Sequence, residues 1–485
     1  PRRGRIPQCL VLAPTRELAN QVEREFASSA PSLSTCCVYG GVSITGQERQ
    51  LRNGVDVVVG TPGRVMDLME RGWIDFSEVQ YVVLDEADQM LAVGFEEDVE
   101  KILTEVPNER QTLLFSATVP RWVKNLTRNY LKDPVNIDLV GDENTGKIAD
   151  TIRTLSCSVP PESRVPVLVD LITVYGNGAK AIVFTQTKRA ADEVAVALAR
   201  TMPCEALHGD IAQMTREKTL KKFREGSFNV LVATDVAARG LDIPNVDLVV
   251  HFEMPNDSET FLHRSGRTGR ANKTGIAIAM YGPRDRFTLR NIARDTSANF
   301  EDVSPPPPTE VMKASADQAV NNLSGVHPDL LKFFSPAAST LIDSMGAEAA
   351  LASALAAMSG FRQPPAKRSM LSFEEGFQTM RVQKVGAKEE GIPYMSQPRD
   401  LMALLGKRAP EVAARVGKIV PIVARANAGV EGVVFDIPED DAEVLIDLGV
   451  IDGCEFDMPS KLPVLEVPVG RGGGRGGGRG GGYRG

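Results

Sequence analysis

The chain has 485 residues, enough for about three domains. Hydrophobic residues make up 42% of it and charged residues 24%, an ordinary globular composition. No apolar run approaches the roughly 18 to 20 residues that a membrane span needs, so we predict no membrane partner. The net charge of -8 excludes a generally basic surface, and any contact with a polyanion has to be local.

Two stretches of the chain repeat the same alternation of short apolar runs and helical patterns. The first extends from residue 8 to about 140, and the second from residue 179 to about 300. Because β-branched runs separated by helices are typical of parallel strands covered on both faces, we predict an α/β fold with two parallel-sheet domains in tandem. The runs are CLVLAP, TCCVYG, VDVVVG, VQYVVLD and TLLFSAT in the first stretch, and AKAIVFT, NVLVATD, VDLVVHF and GIAIAMY in the second.

Polar and proline-rich segments divide the chain. The stretch from Leu139 to Pro161 contains GDENTGK and PPES and is interpreted as a connector. The prolines from Pro305 to Pro308 end the second domain, since proline cannot continue a helix or a central strand. The predicted parts are residues 1–140 (first α/β domain), 141–161 (connector), 162–304 (second α/β domain), 309–360 (helical segment), 361–468 (small α+β domain) and 469–485 (tail).

The last third of the chain differs in composition and in element order from the two α/β stretches. Residues 311–360 are rich in alanine and predict helices. Beyond Phe361, strand and helix patterns follow in the order β-α-β-β-α, which is typical of a split-βαβ domain similar to the RNA-recognition fold. The aromatic signature with which that fold stacks bases is absent. The glycine-rich end carries Arg471, Arg475 and Arg479 and predicts a disordered tail.

The six cysteines predict no redox or metal site. They form no CxxC pair and no spacing with histidine that suits a metal, and most of them lie in apolar, strand-like runs. We interpret them as structural thiols of a protein in a reducing compartment.

An acidic motif, DEAD at residues 85–88, follows the apolar run YVVL. The carboxyl end of a parallel strand is where such sheets bind ligands. There Asp85 can hold Mg²⁺ while Glu86 orients and deprotonates an attacking water, the two tasks of nucleoside triphosphate hydrolysis. A solvated loop of charges is the alternative. Ser116 and Thr118 end the next strand, and we expect their hydroxyls to hydrogen-bond toward the acidic pair.

A second motif, HRSGRTGR at residues 263–270, places three arginines and a histidine within eight residues. Interleaved glycines and arginines three residues apart favour a compact surface aimed at an anion over a solvated basic loop. Arginine supplied to a transferring phosphate contributes about 10³- to 10⁵-fold in rate. Together with the acidic motif, this one indicates hydrolysis of a nucleoside triphosphate.

These motifs belong to a set of nine, in one order, through which residues 8 to 300 resemble the DEAD-box RNA helicases. The resemblance implies two RecA-like domains, ATP and Mg²⁺ as cofactors, and an ATP-driven closure of the domains that bends and unpairs RNA. The nine are PTRELA (14–19), GG (40–41), TPGR (61–64), DEAD (85–88), SAT (116–118), VFTQT (183–187), QMTR (213–216), TDVAARGLD (234–242) and HRSGRTGR (263–270).

The same resemblance implies roles for particular residues. The catalytic residues it implies are Asp85 (which holds Mg²⁺ through water), Glu86, His263, Arg267 and Arg270. The residues that couple the sites are Asp88, Ser116 and Thr118, and those that bind the nucleotide are Gly240 and Asp242. The RNA contacts, which touch the backbone without reading sequence, are Pro14, Thr15, Arg16, Gly40, Gly41, Thr61, Pro62, Gly63, Arg64, Thr185, Gln186, Arg216, Thr234, Arg471, Arg475 and Arg479.

Two parts of the family's first domain are missing from the sequence. Its adenine-reading glutamine motif and its phosphate loop, GxxxxGK[ST], would precede PTRELA, and neither is present in the 13 residues before that motif. The one local match, Gly141 to Lys147, is followed by Ile148 where a hydroxyl is needed, and we reject it. We therefore expect an N-terminally truncated chain, with a first sheet that lacks a central strand and with doubtful ATPase activity. Whether the truncation is natural or an artefact stays open.

The C-terminal half resembles helicases that carry a GUCT domain and an Arg/Gly-rich tail. Two branches of helicases have that domain, nucleolar ones and plant chloroplast ones, and the strings DLVGD, FTQTKRAADEV and EALHGDIAQ favour the chloroplast branch. The alanine-rich helix is interpreted either as a dimer interface or as a packed internal helix. The partners implied are RNA, a second copy of the chain, and ribonucleoprotein or pre-ribosomal particles.

Two functions remain open at this point. The first is an ATP-dependent RNA helicase that remodels structured RNA in ribosomal RNA processing or intron splicing. The second is an ATP-independent RNA-binding or annealing protein derived from a helicase. A DNA helicase is the weaker third hypothesis, because the motif set belongs to RNA enzymes.

Overall fold

The computed structural model describes most of the chain. The described residues are 5–138, 146–235, 246–270, 273–363, 368–384, 395–423, 432–459, 462–463 and 465. The chain divides into two compact units, one of residues 1–303 with 314–330 and the other of residues 304–313 with 331–485. The predicted α/β class is confirmed, since the first unit contains two parallel sheets.

The first sheet consists of five short strands: β1 (Cys9–Leu12), β2 (Thr35–Val38), β3 (Val57–Gly60), β4 (Tyr81–Leu84) and β5 (Gln111–Leu114). All are parallel, in the order β2-β3-β1-β4-β5, and each predicted apolar run of this stretch forms one of them. The five described strands are hydrogen-bonded to one another without a gap, and the strand that we expect to be missing from this sheet stays a prediction. The edge strand β5 is only partly buried.

Six helices cover this sheet: α1 (Arg16–Ser29), α2 (Ile44–Arg52), α3 (Pro62–Glu70), α4 (Ala87–Ala92), α5 (Glu96–Glu105) and α6 (Arg121–Tyr130). Side chains of successive strand residues point to opposite faces of the sheet. Val57 and Val59 therefore pack with α1, whereas Val58 packs in the larger cluster with α3, α5 and α6. Burial on both faces is the reason that the strands are continuous apolar runs rather than alternating ones.

The second sheet has seven strands: β6 (Ile152–Ser158), β7 (Lys180–Thr185), β8 (Cys204–Leu207), β9 (Val230–Thr234), β10 (Val246–His251), β11 (Gly275–Tyr281) and β12 (Glu301–Val303). They are parallel, in the order β12-β6-β11-β10-β7-β9-β8. The helices described around them are α7 (Arg164–Leu171), α8 (Lys188–Leu198), α9 (Gln213–Glu225), α10 (Ser258–Ser265) and α11 (Arg286–Thr296).

Strand β6 lies within the stretch that we assigned to the connector, residues 141–161. It pairs with β11 over seven residues and with β12 on its other side, so it belongs to the second sheet. Its sequence, IRTLSCS, carries serine, threonine and arginine among its apolar residues, and these polar residues concealed the strand pattern. The connector therefore ends before Ile152.

Three helices follow the second sheet: α12 (Pro308–Ser324), α13 (Pro328–Met345) and α14 (Ala347–Met358). The first begins at the last of the four prolines, because proline at the first helical position needs no amide hydrogen. Among the described residues, no single helix is long and apolar enough to cross a membrane, although α13 and α14, bent by 117° at their junction, meet that test as a pair.

The small C-terminal domain contains an antiparallel sheet of β13 (Phe377–Lys384), β14 (Ile419–Pro421), β15 (Gly432–Pro438), β16 (Val450–Ile451) and β17 (Cys454–Asp457). The sheet order is β14-β15-β13-β17-β16, and the helices are α15 (Pro398–Arg408), α16 (Pro410–Ala413) and α17 (Glu439–Asp447). The predicted elements are all present. The hairpin of β16 and β17 was not predicted, although its two-residue turn, Asp452-Gly453, with φ of 46° and 74°, is a hairpin signal.

The sheet of this domain has no aromatic platform among its described residues. Phe435 and Phe456 lie on its central strands, but both pack in the core with the helices. The opposite face is covered by the chain itself, since Leu371 and Leu462 pack there against Val434. Phe377 of β13 is half-buried and is a single ring, which does not make the set of aromatic residues with which the RNA-recognition fold stacks bases.

Candidate functional site

The acidic motif lies where β4 ends. Asp85 follows the strand, and Glu86, with φ 49° and ψ 53°, adopts the left-handed conformation that non-glycine residues avoid. The Glu86 amide donates a hydrogen bond of 3.0 Å to Oδ1 of Asp85. Burial raises the pKa of both carboxyls, and Arg267 opposes the rise in the pKa of Glu86. Backbone strain and shifted pKa values of this kind concentrate at functional sites.

The hydroxyls of Ser116 and Thr118 contact the last residue of the motif. Oδ2 of Asp88 accepts hydrogen bonds from the amide and from Oγ1 of Thr118, each 2.9 Å long, and the Asp88 amide donates to Oγ of Ser116 at 3.2 Å. We expected these hydroxyls to bond toward Asp85 and Glu86. Helix α4 starts at Ala87, whose amide bonds to the carbonyl of Phe115, and this turns Asp88 rather than the acidic pair toward the end of β5.

The basic motif of the second domain faces the acidic motif. Helix α10 carries His263, whose Nε2 lies 2.9 Å from the side-chain nitrogen of Gln89. Arg267 and Arg270 are close enough to Glu86 for their charges to lower its pKa. The residues predicted to be catalytic thus lie together, three of them contributed by the second domain.

Arg264, the remaining arginine of the basic motif, has a supporting position. Its side chain is 2% exposed and forms two bonds, of 2.5 and 2.8 Å, with the carboxylate of Asp235. Its guanidinium also lies over the ring of Phe184, 5.3 Å from the ring centre. A bidentate, buried ion pair fixes the geometry of both partners, so Arg264 anchors α10 to the second sheet.

A cavity of about 450 Å³ lies on another side of the contact between the two α/β domains. Helices α1 and α3 both begin beside it, and helix N-termini attract anions such as phosphate. Eight of the predicted RNA contacts line it. The lining residues are Pro14, Thr15, Arg16, Glu17, Gly40, Thr61, Gly63, Arg64, Phe95, Gly209 and Arg216.

Two arginines of this cavity are positioned by the loop at Gly41 and Val42 and by helix α2. Nη1 of Arg64 donates to Oε1 of Gln47 at 2.8 Å, and its Nη2 donates to the carbonyl of Val42 at 3.3 Å. The guanidinium of Arg16 lies against Gly41, where φ is 81° and a Cβ atom would collide with it. Glycine at position 41 thus serves both the left-handed backbone and the close approach of Arg16.

Arg216 lies across this cavity from the first domain. Its Nη2 is 2.7 Å from Oε1 of Glu17, and each side chain is 8% exposed, while Arg16 donates to Oε1 of Gln213 at 3.2 Å. Arg216 stays a predicted RNA contact, and in this structure its charge is paired with a carboxylate of the other domain. The sequence did not single out Glu17, although it belongs to PTRELA. Phe95 was also missed, because it resembles any apolar residue at a helix start.

The other predicted RNA contacts lie outside this cavity or outside the described residues. Thr185 and Thr234 are paired neighbours at the ends of β7 and β9, and Gln186 donates to the carbonyl of Met254 at 2.6 Å. Gly41 and Pro62 adjoin cavity residues in sequence. The predicted residues outside the described part are Gly240, Asp242, Arg471, Arg475 and Arg479.

Four family models match the chain. Residues 2–126 match the DEAD/DEAH box helicase family, and residues 163–272 match the helicase conserved C-terminal domain. Residues 307–358 match the DDX21/DDX50 dimerisation domain, and residues 360–466 match the GUCT (NUC152) domain. The chain belongs to the DEAD-box helicase family, which confirms the resemblance seen in its motifs.

Similar proteins come from different compartments. The chain is 52% identical over 96% of its length to DEAD-box ATP-dependent RNA helicase 3B, chloroplastic, of Zea mays, and spans 62% of that relative. It is 44% identical to nucleolar RNA helicase 2 of Rattus norvegicus over 78% of its length and 49% of the relative's. A solved structure of S. cerevisiae Dbp5 bound to RNA and ADP BeF3 matches 62% of this chain and 78% of its own, with 30% identity and a TM-score of 0.56.

Proposed function

We propose that the protein is an ATP-dependent RNA helicase, which remodels structured RNA by closing two α/β domains over ATP and RNA together. One observation carries the proposal. The same two domains contribute to both surfaces, since Arg267 lies near Glu86 at the acidic motif while Arg216 meets Glu17 beside the cavity. Closure for one ligand therefore assembles the site for the other.

At the acidic motif, Glu86 takes a proton from the water that attacks the terminal phosphate. Burial raises its pKa toward the working range of a general base. Arg267 and Arg270 supply positive charge to the transferring phosphoryl group from the opposite domain. His263 of the basic motif contacts Gln89, the residue after the acidic motif, so that the arginines reach the phosphate only when the domains are in contact.

The residues present fit a magnesium ion. Asp85 is a partly buried carboxylate whose Oδ1 accepts the Glu86 amide, and Oδ2 has no partner among the described hydrogen bonds. Magnesium prefers oxygen ligands and keeps several of its waters, so Asp85 would hold it through water. When bound, the ion neutralises charge on the phosphates.

The cavity beside α1 and α3 takes the RNA backbone. Two helix N-termini, Arg16 and Arg64 offer amide hydrogens and charge to phosphates. Small residues, Gly40 and Gly63, allow the backbone to approach. Because these contacts involve no base edge, binding is independent of sequence, and a rigid duplex that does not fit the closed surface has to bend.

A substitution in the cavity tests this assignment. Arg64→Gln in the full chain is expected to weaken single-stranded RNA binding. The slope of the logarithm of the binding constant against the logarithm of the salt concentration is expected to become shallower by about 0.7, the value for one lost phosphate contact. Arg71→Gln is the matched control, because Arg71 caps the same helix but is 52% exposed and pairs with Asp67. Fluorescence anisotropy over a salt series measures both. Equal losses in the two variants, or none in either, would contradict the assignment.

We also propose that the chain forms a homodimer through α13 and α14. The match of residues 307–358 to a dimerisation domain supports it, and so does a row of exposed apolar side chains. These lie one or two helical turns apart along α13, as on a helix that packs against a partner. They are Leu331, Phe334, Leu341, Ile342 and Met345, between 43% and 67% exposed.

The dimer predicts a change in sedimentation. Phe334→Glu combined with Ile342→Glu in the full chain is expected to convert a dimer to a monomer, because buried charges oppose association. Phe287→Glu is the control, since Phe287 is 73% exposed on α11 and lies outside the matched segment. A wild-type chain that sediments as a monomer at micromolar concentration would refute the dimer.

We propose a chloroplast location and a role in ribosomal RNA processing or intron splicing. The maize relative, whose name specifies the chloroplast, supports the first part. The rat relative keeps the nucleolus as the alternative. A fluorescent fusion of the whole protein that accumulated in the nucleolus would contradict the chloroplast location.

A further inference from the structure

A buried histidine of the second domain lies behind the helix that carries the basic motif. His251 is the last residue of β10 and is fully buried, and its Nε2 lies 3.0 Å from Oγ of Ser265 on α10. Its ring also stacks on the ring of Phe261, on the same helix, with the ring centres 4.6 Å apart. One side chain of the sheet thus contacts α10 both by a hydrogen bond and by an aromatic face.

The imidazole of His251 is neutral. Burial and, after it, the charge of Arg264 hold the pKa of His251 well below its usual range. Its Nδ1 is buried and has no hydrogen-bond partner in the described structure. A neutral imidazole carries one N–H, and placing that hydrogen on Nδ1 would leave a buried donor unpaired. We therefore assign the hydrogen to Nε2, so that His251 donates to Oγ of Ser265.

The segment that carries Arg267 is fixed to β10 on both sides of this arginine. Two residues before it, Ser265 binds His251 at the end of the strand. One residue after it, Oγ1 of Thr268 donates to the carbonyl of Val246 at the start of the strand, at 2.6 Å. Both hydrogen bonds are buried, and such bonds restrict the groups that form them more than exposed ones do.

We propose that His251 is a positioning residue for phosphoryl transfer, which sets through Ser265 the place from which Arg267 reaches the phosphate. This rests on the proposed function, since Arg267 has this role only if ATP is hydrolysed. A displacement of a catalytic group by about 1 Å can cost about 100-fold in rate. Arg264 holds the same helix through Asp235, so loss of the histidine bond is expected to shift α10 rather than to release it.

Substitutions of His251 in the whole protein test the proposal. His251→Leu keeps the apolar burial but removes the hydrogen bond, so kcat of RNA-stimulated ATP hydrolysis is expected to fall about 10- to 100-fold with KM for ATP retained. His251→Gln again offers an N–H donor at the ε position and is expected to restore most of the rate. Ser265→Ala is expected to match His251→Leu, and combining the two adds little, because both remove one bond.

The Arg267→Ala background separates positioning from a purely structural role. If His251 acts through Arg267, His251→Leu is expected to change the residual rate by about twofold at most once residue 267 is alanine. A structural role would lower the rate by the same factor in both backgrounds. Thr154→Val is the matched control with kcat unchanged, since Thr154 is 4% exposed on β6 and donates to the carbonyl of Asn299 at 2.9 Å.

Thermal melting followed by circular dichroism verifies that each variant is folded, and Ser265→Ala, the smaller change, carries the test if His251→Leu unfolds. A wild-type whole protein without RNA-stimulated ATP hydrolysis would refute the proposed function, and this inference with it. With an active wild type, three results would each overturn the positioning role alone. These are an unchanged kcat in His251→Leu or Ser265→Ala, a loss that His251→Gln does not reverse, and an equal loss in the Arg267→Ala background.

Discussion

Arg267→Ala in the whole protein is expected to lower RNA-stimulated ATP hydrolysis by about 10³- to 10⁵-fold, the range for an arginine that stabilises a transferring phosphoryl group. Arg267 belongs to the second domain but lies near Glu86 of the first. Its loss removes charge from the transition state and leaves the rest of the site in place. Initial rates of phosphate release at saturating RNA measure the effect.

Two further variants distinguish this role from a general loss of positive charge. Arg267→Lys keeps the charge but not the planar fork, so most of the activity is expected to be lost. Arg290→Ala changes an exposed arginine of α11 and is expected to retain full activity. An Arg267→Ala protein within 10-fold of the wild type would exclude Arg267 from the reaction.

Glu86→Gln in the whole protein is expected to lower kcat by about 10²- to 10⁴-fold, the usual contribution of a general base. Glutamine has nearly the same shape and keeps the left-handed backbone at residue 86, so ATP and RNA are expected to bind as before. A retained KM with a lost kcat is the signature of a catalytic rather than a structural residue.

The pH profile gives a second readout for Glu86. Burial raises its pKa, and the base acts only when deprotonated. Wild-type kcat is therefore expected to fall as the pH decreases through the raised pKa, while the residual rate of Glu86→Gln stays flat there. If the variant kept the acid limb of the profile, another group would be the base.

The sequence predicts the fold well where strands are buried on both faces. Runs such as VDVVVG and NVLVATD form strands in which every residue except the terminal Thr234 is apolar, so their burial is evident without a structure. Strand β6 was missed because polar residues interrupt it at Arg153 and Ser156. The β16–β17 hairpin was missed because its strands are only two and four residues long.

The candidate site was predicted as a set of residues but not as a set of contacts. Motif order identified Arg216, yet its partner Glu17 lies about 200 positions away, and only the packing of two domains brings them to 2.7 Å. The same holds for Gln89 and His263, on different domains. Motifs carry the chemistry, whereas the geometry between domains has to come from the structure.

The central claim is that ATP and RNA share one closed state, and the RNA affinity of the Glu86→Gln whole protein tests it most directly. This variant is expected to bind ATP without turning it over, so ATP should hold the domains closed on RNA. The account predicts at least 10-fold tighter binding of single-stranded RNA with ATP than without it, in line with a coupling free energy of about 1 to 3 kcal/mol. Equal affinity with and without ATP would contradict the account.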